Sequence, residues 1–148
     1  HCIYHAGHSL VGFPLEDDIG LMGQAVPADL GGLGLGPADQ RRVMRVIGSG
    51  CGATGFVFAQ HHGVVGALAR TPNAALRDRW LEPLCHRHLA GIAFAHLRRP
   101  GPPPVAARRV AGGWEVTGEA PWATSWGLAE VFLVAAGTDD RSSERSSK

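Results

Sequence analysis

The residues best equipped for chemistry fall into a few short groups. His1, Cys2, His5 and His8 offer metal-binding atoms within eight residues, and Cys85, His86 and His88 offer three more. Imidazoles and thiolates are zinc ligands, but neither spacing matches a common structural zinc module, so adventitious binding or plain surface polarity is expected and no metal site is assigned. His61 and His62 are adjacent in a helical stretch. Neighbours on a helix do not face one direction, so they are expected to serve helix packing or interdomain contact rather than an acid–base pair. The run Gly31-Gly32-Leu33-Gly34-Leu35-Gly36 has the glycine content of a phosphate cradle, but it follows the loop-like Val26-Pro27 instead of a strand and is expected to be a structural turn. Cys51, set among glycines, is expected to be a small buried side chain rather than a reactive thiol.

These residues need elements to hold them. Residues 1–20 show no convincing period and are expected to be an irregular or partly helical lead-in. The stretch from Leu21 to Gly36 is rich in small, flexible residues and reads as a loop between helices. Pro37 suits a first helical turn, and Val43, Met44 and Ile47 share one face of a helix ending near Gly48 to Gly52. A second helix is expected from about Ala53 to Arg70, with Phe56, Ala59, Gly63 and Ala67 as its packed stripe. Thr71-Pro72 is the expected cap and first turn of a third helix that carries Leu76, Trp80 and Leu84 and is ended or kinked by Pro83. Beyond Gly91 the pattern changes to strands, at Ile92 to Ala95, Trp114 to Thr117 and Val131 to Ala136. Helices first and strands afterwards predict an α+β fold: a helical domain over residues 1–90, a β-domain over 91–138, and a disordered tail over 139–148.

Composition narrows the function classes. The chain has 148 residues, 45% of them hydrophobic and 18% charged, which suits one globular domain or parts of two. Lys and Arg total 14 against 13 Asp and Glu, and a net charge of +1 gives no general attraction to nucleic acid or anionic lipid. No apolar run approaches the roughly 20 residues that span a bilayer, so no membrane partner is expected. Three cysteines without a CxxC pair suggest no disulfide framework, and a reducing cytoplasm is the expected compartment.

Three segments carry a family resemblance. Val26-Pro27-Ala28-Asp29-Leu30-Gly31-Gly32-Leu33-Gly34-Leu35 resembles the V-P-x-x-x-G-G-x-G-x loop near the front of acyl-CoA dehydrogenases. Trp80-Leu81-Glu82-Pro83-Leu84 is similar to the family's Y-L-P-x-L element, which precedes the first strand of its middle domain. Gly113-Trp114-Glu115-Val116-Thr117-Gly118-Glu119-Ala120-Pro121-Trp122-Ala123-Thr124 resembles its G-[WY]-x-[LV]-x-G-x-K-x-[WF]-[IA]-[TS] segment. The resemblance covers roughly Leu21 to Ala136. It implies an N-terminal helical domain and the opening strands of a middle β-domain, without the C-terminal helical domain that carries the family's catalytic glutamate. The implied cofactor is FAD, the implied substrate an acyl-CoA thioester, and the full-length family implies a homo-oligomer.

The same resemblance implies site residues. Trp122 is expected to wall the flat, apolar flavin ring and Thr124 to offer a hydroxyl partner; on a strand the two would face one way. The family's T-E-P-x-A-G-S-D loop is replaced by Ala95-His96-Leu97-Arg98-Arg99-Pro100-Gly101-Pro102-Pro103-Pro104, with His96 in the place of the usual Thr and Pro102 near the usual Ser. Ala95 and His96 are expected at the flavin's polar edge. Arg98 and Arg99 are read either as partners for a pyrophosphate or CoA phosphate, or as a solvated basic loop stiffened by the prolines. Trp126 either closes the site or packs beneath the last strand. No carboxylate inherits the catalytic role, so the chain alone is expected to have little or no dehydrogenase activity. A flavin monooxygenase of the same fold and a non-catalytic interaction module are the alternatives.

Overall fold

The structure, a computed structural model, describes residues 20–98 and 100–138, with the side chain of Arg98 outside that description. The expectations for the N-terminal lead-in, its His and Cys residues, Arg99 and the tail lie outside the described residues. Three α-helices come first, α1 (Pro37–Gly50), α2 (Gly52–Ala69) and α3 (Ala74–His86), followed by strands β1 (Ala90–Ala93), β2 (Val105–Val110), β3 (Gly113–Gly118), β4 (Val131–Val134) and β5 (Gly137–Thr138). The mixed α+β architecture is therefore as the sequence implied. The chain divides into two compact units. One runs to Ile92 and takes back Thr124–Leu133; the other holds Ala93–Ala123 and the residues from Val134 onward.

The first unit contains both hydrophobic clusters. Val64, Val65 and Leu68 of α2 bury against Leu81, Leu84 and Cys85 of α3, with Val26 and Ala90 completing the group. Met22, Val57, Phe58 and Leu89 form the second cluster, on which Val43, Met44 and Ile47 of α1 pack half-buried. Burial of these side chains is the main favourable term holding the helices together.

Two short 3-10 turns, Leu21–Gly23 and Ala28–Leu30, punctuate the loop ahead of α1. Here the glycine run is needed for closeness. A Cβ on Gly32 would collide with the Val26 carbonyl and side chain and lie 2.6 Å from the Gly23 carbonyl, so only glycine lets these backbone segments touch. The turn is thus structural, as its context implied.

Several expected placements differ. On α2 the buried positions are Gly55, Val57, Phe58, His61, Val64, Val65 and Leu68. Phe56 is 51% exposed and Ala59 and Gly63 also face outward. The helix is apolar on almost every side, so periodicity alone does not single out the face that meets α3. The cap of α3 is Asn73 rather than Thr71: the Leu76 N–H donates to Asn73 Oδ1 at 3.0 Å. Thr71 Oγ1 instead accepts from the Asn73 N–H at 3.3 Å. Pro83 lies inside α3, which continues to His86. Cys51, at the junction of α1 and α2, is disulfide-bonded, which the count of three cysteines did not suggest.

In the second unit, β2 pairs antiparallel with β3 and parallel with the two-residue β5. The β2–β3 register sets Arg109 opposite Trp114 and Ala107 opposite Val116 on one face, with Arg108 opposite Glu115 on the other. Arg108 and Glu115 form an ion pair there. β1 pairs with β4 in a separate two-stranded sheet.

Candidate functional site

Histidines fix the ground on which the site residues stand. His61 is fully buried. Its Nε2 donates to the Met22 carbonyl at 3.1 Å, and its Nδ1 accepts the Ala90 N–H at 3.1 Å. A carbonyl only accepts and an amide N–H only donates, so both contacts are satisfied by one neutral tautomer. The ring thereby ties α2 to the loop before α1 and to the first residue of β1. His62, next to it, points elsewhere and sets its ring edge-on to Phe58 at 4.3 Å. Burial pushes the His62 imidazole down to about 3, the neighbouring His61 adds to this, and the Leu21 backbone opposes it. Neither geometry is that of an acid–base pair.

Thr124 belongs to the first unit, where it is only 6% exposed. Its N–H donates to the Ile92 carbonyl at 3.0 Å. A Cβ on Gly91 would strike the Thr124 carbonyl and come within 2.8 Å of the Phe132 ring, so the glycine lets the Thr124 segment lie against β1. Ser125 follows with φ +62, a left-handed conformation that a non-glycine residue adopts at a cost, and its buried hydroxyl has no hydrogen-bond partner among the described residues. Sequence reasoning did not single out Ser125; nothing in its type or spacing marks a positive φ. Trp126 is exposed and sets its ring 5.7 Å from that of Phe132, a packing contact beside β4.

Ala95, His96 and Trp122 belong to the second unit. Residues 119–130 form no strand, so the expectation that a strand directs Trp122 and Thr124 to one face is corrected. Their surroundings differ sharply, since Trp122 is 63% exposed whereas Thr124 is buried. Alternation requires extended, paired backbone, and the turn that begins at Thr124 removes it. Ala95 is exposed at the start of a 3-10 turn, Ala95–Arg98, that follows β1; the expected strand ends two residues earlier, at Ala93. Arg99 and the side chain of Arg98 lie outside the described residues, as noted, so the phosphate reading of this pair rests on sequence.

His96 is only 2% exposed. Its Nε2 donates to the Ala135 carbonyl at 2.6 Å, while Nδ1 is buried without a partner among the described residues. An unsatisfied buried acceptor costs about 1–3 kcal/mol. The exposed indole of Trp122 suits a flat apolar ring such as a flavin, whereas His96 and Thr124 are closed from solvent.

No group of three or more His, Cys, Asp or Glu residues is placed to hold a metal among the described residues. No helix among them is long and apolar enough to cross a membrane. A concavity of about 630 Å³ lined by Ala38, Arg41, Arg42, Met44 and Arg45 contains none of the expected flavin-contacting residues.

Known proteins place this architecture. Residues 15–88, half of the chain, match the profile of the acyl-CoA dehydrogenase N-terminal domain. The chain is 27% identical over 136 residues to the mitochondrial isovaleryl-CoA dehydrogenase of Arabidopsis thaliana, covering 88% of this chain and 33% of the relative. It thus spans about a third of that relative's length. The solved FAD complex of PigA is similar at 25% identity and a TM-score of 0.70 over 81% of this chain and 33% of that one. A glutaryl-CoA dehydrogenase from Mycobacterium smegmatis in complex with FADH2 shares the fold, with a TM-score of 0.71 at 21% identity over 82% of this chain and 32% of that one. Helices, loop and strands agree with these relatives over most of the chain, which belongs to the acyl-CoA dehydrogenase family.

Proposed function

We propose that this chain is part of a flavin-dependent acyl-CoA dehydrogenase that removes two hydrogens from adjacent carbons of an acyl-CoA thioester. Family membership carries this reading. The likeness to an isovaleryl-CoA dehydrogenase supports the thioester substrate, and the likeness to an FAD complex at 25% identity supports the cofactor.

FAD, when bound, would accept the hydride at N5. Trp122 would lay its indole against the isoalloxazine and exclude water from one side of it. His96 and the backbone at Ala95 would meet the polar edge of the ring. Thr124, whose backbone is held by Ile92 and by the close approach at Gly91, would present its hydroxyl from a fixed support. Arg98 and Arg99 would hold a phosphate of the coenzyme. Proton removal from the thioester needs a general base within hydrogen-bond reach. Among the described carboxylates, Asp39, Asp78, Glu82, Glu115 and Glu130 are engaged in ion pairs with Arg or His. In this reading the 148-residue chain by itself binds flavin and does not turn over an acyl-CoA, because the family resemblance assigns the catalytic glutamate to none of its carboxylates.

Titrating the chain with FAD while following flavin fluorescence and the visible spectrum tests this. Saturable quenching that Trp122→Ala weakens about tenfold, in line with the loss of an aromatic stacking contact, is the expected result. Absence of binding would favour a non-catalytic interaction module. Bleaching of bound flavin by an acyl-CoA thioester would overturn the claim of inactivity. His96, which stands where a hydroxyl is usual, favours a second reading: a flavin enzyme of the same fold that activates oxygen. Rapid oxygen-dependent turnover of the reduced protein without acyl-CoA would select it.

A further inference from the structure

Helix α1 packs one side inward and leaves the other open. Val43, Met44 and Ile47 lie on the second hydrophobic cluster. At about 100° per residue, Ala38, Arg41, Arg42, Arg45 and Ser49 fall on the opposite side, and all five are exposed. The three arginines, with Ala38 and Met44, line the concavity of about 630 Å³.

Charge on this face is largely uncompensated. Arg42 Nη1 donates to Asp39 Oδ1 at 3.1 Å, in a pair open to water. Arg41 and Arg45 have no hydrogen-bond or ion-pair partner among the described residues. They stand one helical turn apart, about 6 Å along the axis. Like charges at that spacing repel, so the fold gains nothing from the pair.

A guanidinium takes a carboxylate or a phosphate through two parallel N–H donors, so the ligand of this face is anionic. The rest of the face selects its kind. The Asp39 and Gln40 N–H groups already donate to the Gly36 carbonyl and later ones bond within the helix, so a free phosphate would meet side chains alone. No aromatic residue of α1 offers a base a stacking surface, and the chain's net charge of +1 gives no wider field to hold a nucleic-acid strand. Val46, 72% exposed one turn beyond Arg42, is the only large apolar side chain turned outward on α1. That is too little to enter a bilayer but enough to seat one apolar residue of a protein.

We propose that the outward face of α1 docks an acidic segment of a partner protein, with carboxylates one helical turn apart paired to Arg41 and Arg45 and an apolar side chain against Val46. Asp39 competes with that partner for Arg42. The face lies wholly within the first unit, and docking there does not depend on flavin.

The test uses the full chain and a fluorescein-labelled, alanine-based helical peptide carrying glutamates four residues apart and a leucine beside them. Fluorescence anisotropy should show saturable binding that weakens as salt rises. Arg41→Gln combined with Arg45→Gln should weaken binding about tenfold, as the loss of two exposed charge pairs implies. The melting temperature should stay in place, because neither arginine has a partner to lose. Asp39→Asn should tighten binding severalfold by releasing Arg42, a gain that misfolding does not produce. No binding of the acidic peptide at low salt, equal binding of a control peptide with glutamine in place of glutamate, no loss in the double variant, or no gain in Asp39→Asn would overturn the proposal. Complete displacement by millimolar inorganic phosphate would make the face a small-anion site, and tighter binding of a single-stranded oligonucleotide would make it a nucleic-acid site; either result overturns it as well.

Discussion

At the scale of single residues, the sites that matter most are those where one atom decides whether two segments can meet. Gly91 is one. Alanine there would press its methyl into the Thr124 carbonyl and the Phe132 ring, and neither a backbone oxygen nor a ring carried on β4 yields cheaply. Gly91→Ala is expected to destabilise the chain by about 1–3 kcal/mol, the usual cost of forcing extra volume into close packing. Urea unfolding checks it, and a midpoint unchanged from wild type would show that the Thr124 segment is free to move away. His62 makes a different prediction. Its imidazole is held at about 3 in the folded chain against an ordinary 6.5, so between these values the unfolded chain binds the extra proton and the folded one does not. Stability contributed by the neutral ring is present above pH 6.5 and is lost as pH falls towards 3. At pH 5 the loss amounts to about 2 kcal/mol. His62→Met removes the titration, so wild type should weaken more than the variant between pH 7.5 and pH 5; parallel pH profiles would show that His62 is solvated.

Residue types announced some of this and concealed the rest. Adjacent histidines on a helix were expected to pack rather than to act as a pair, and His61 does so through the Met22 carbonyl and the Ala90 N–H. Neither partner is visible in sequence, because both are backbone groups 39 and 29 positions away. The exposure of Trp122 beside a buried Thr124 was hidden for a related reason. A one-residue spacing implies a shared face only on paired backbone, and whether a segment is paired depends on what lies opposite.

Among the elements, helices were the more legible because their caps and breakers are local. Pro37 opens α1 as expected, yet the start of α3 shows how near neighbours compete. Thr71-Pro72 has the right chemistry for a cap, but Asn73 can follow the proline and still leave its side chain below the Leu76 N–H. Asn73→Ala is expected to cost about 1 kcal/mol, and Thr71→Ala only a few tenths, in thermal or urea unfolding. Equal losses would mean that the turn, rather than the cap, sets the helix start. Strands were harder to read. Val105-Ala106-Ala107-Arg108-Arg109-Val110 shows no alternation of polar and apolar residues, and it becomes β2 through register with β3, which no local signal specifies. On α2 the difficulty is reversed: a helix apolar nearly all round has many possible inner faces, and α1 and α3 choose among them.

Over the whole molecule, stability is unevenly distributed. Both hydrophobic clusters lie in the first unit, where Phe58, Val65, Leu84 and Cys85 are sealed from water. In the second unit every residue of β3 is exposed, and Trp114 and Val116 remain open to solvent. Its sheet is held chiefly by backbone pairing, the Arg108–Glu115 ion pair and the stacking of Arg109 on Trp114. Exposed ion pairs contribute little, and a sheet with few buried apolar contacts opens readily. Native-state hydrogen exchange should therefore show the amides of β2 and β3 opening with a free energy at least about 2 kcal/mol below that of the central turns of α2. Protection shared equally by α2 and β3 would mean that the two units unfold as one cooperative body. If the difference is found, adding FAD becomes a sharper probe than heat. Binding through Trp122 and His96 should raise protection in the second unit first, because a ligand stabilises most the segment whose opening would release it.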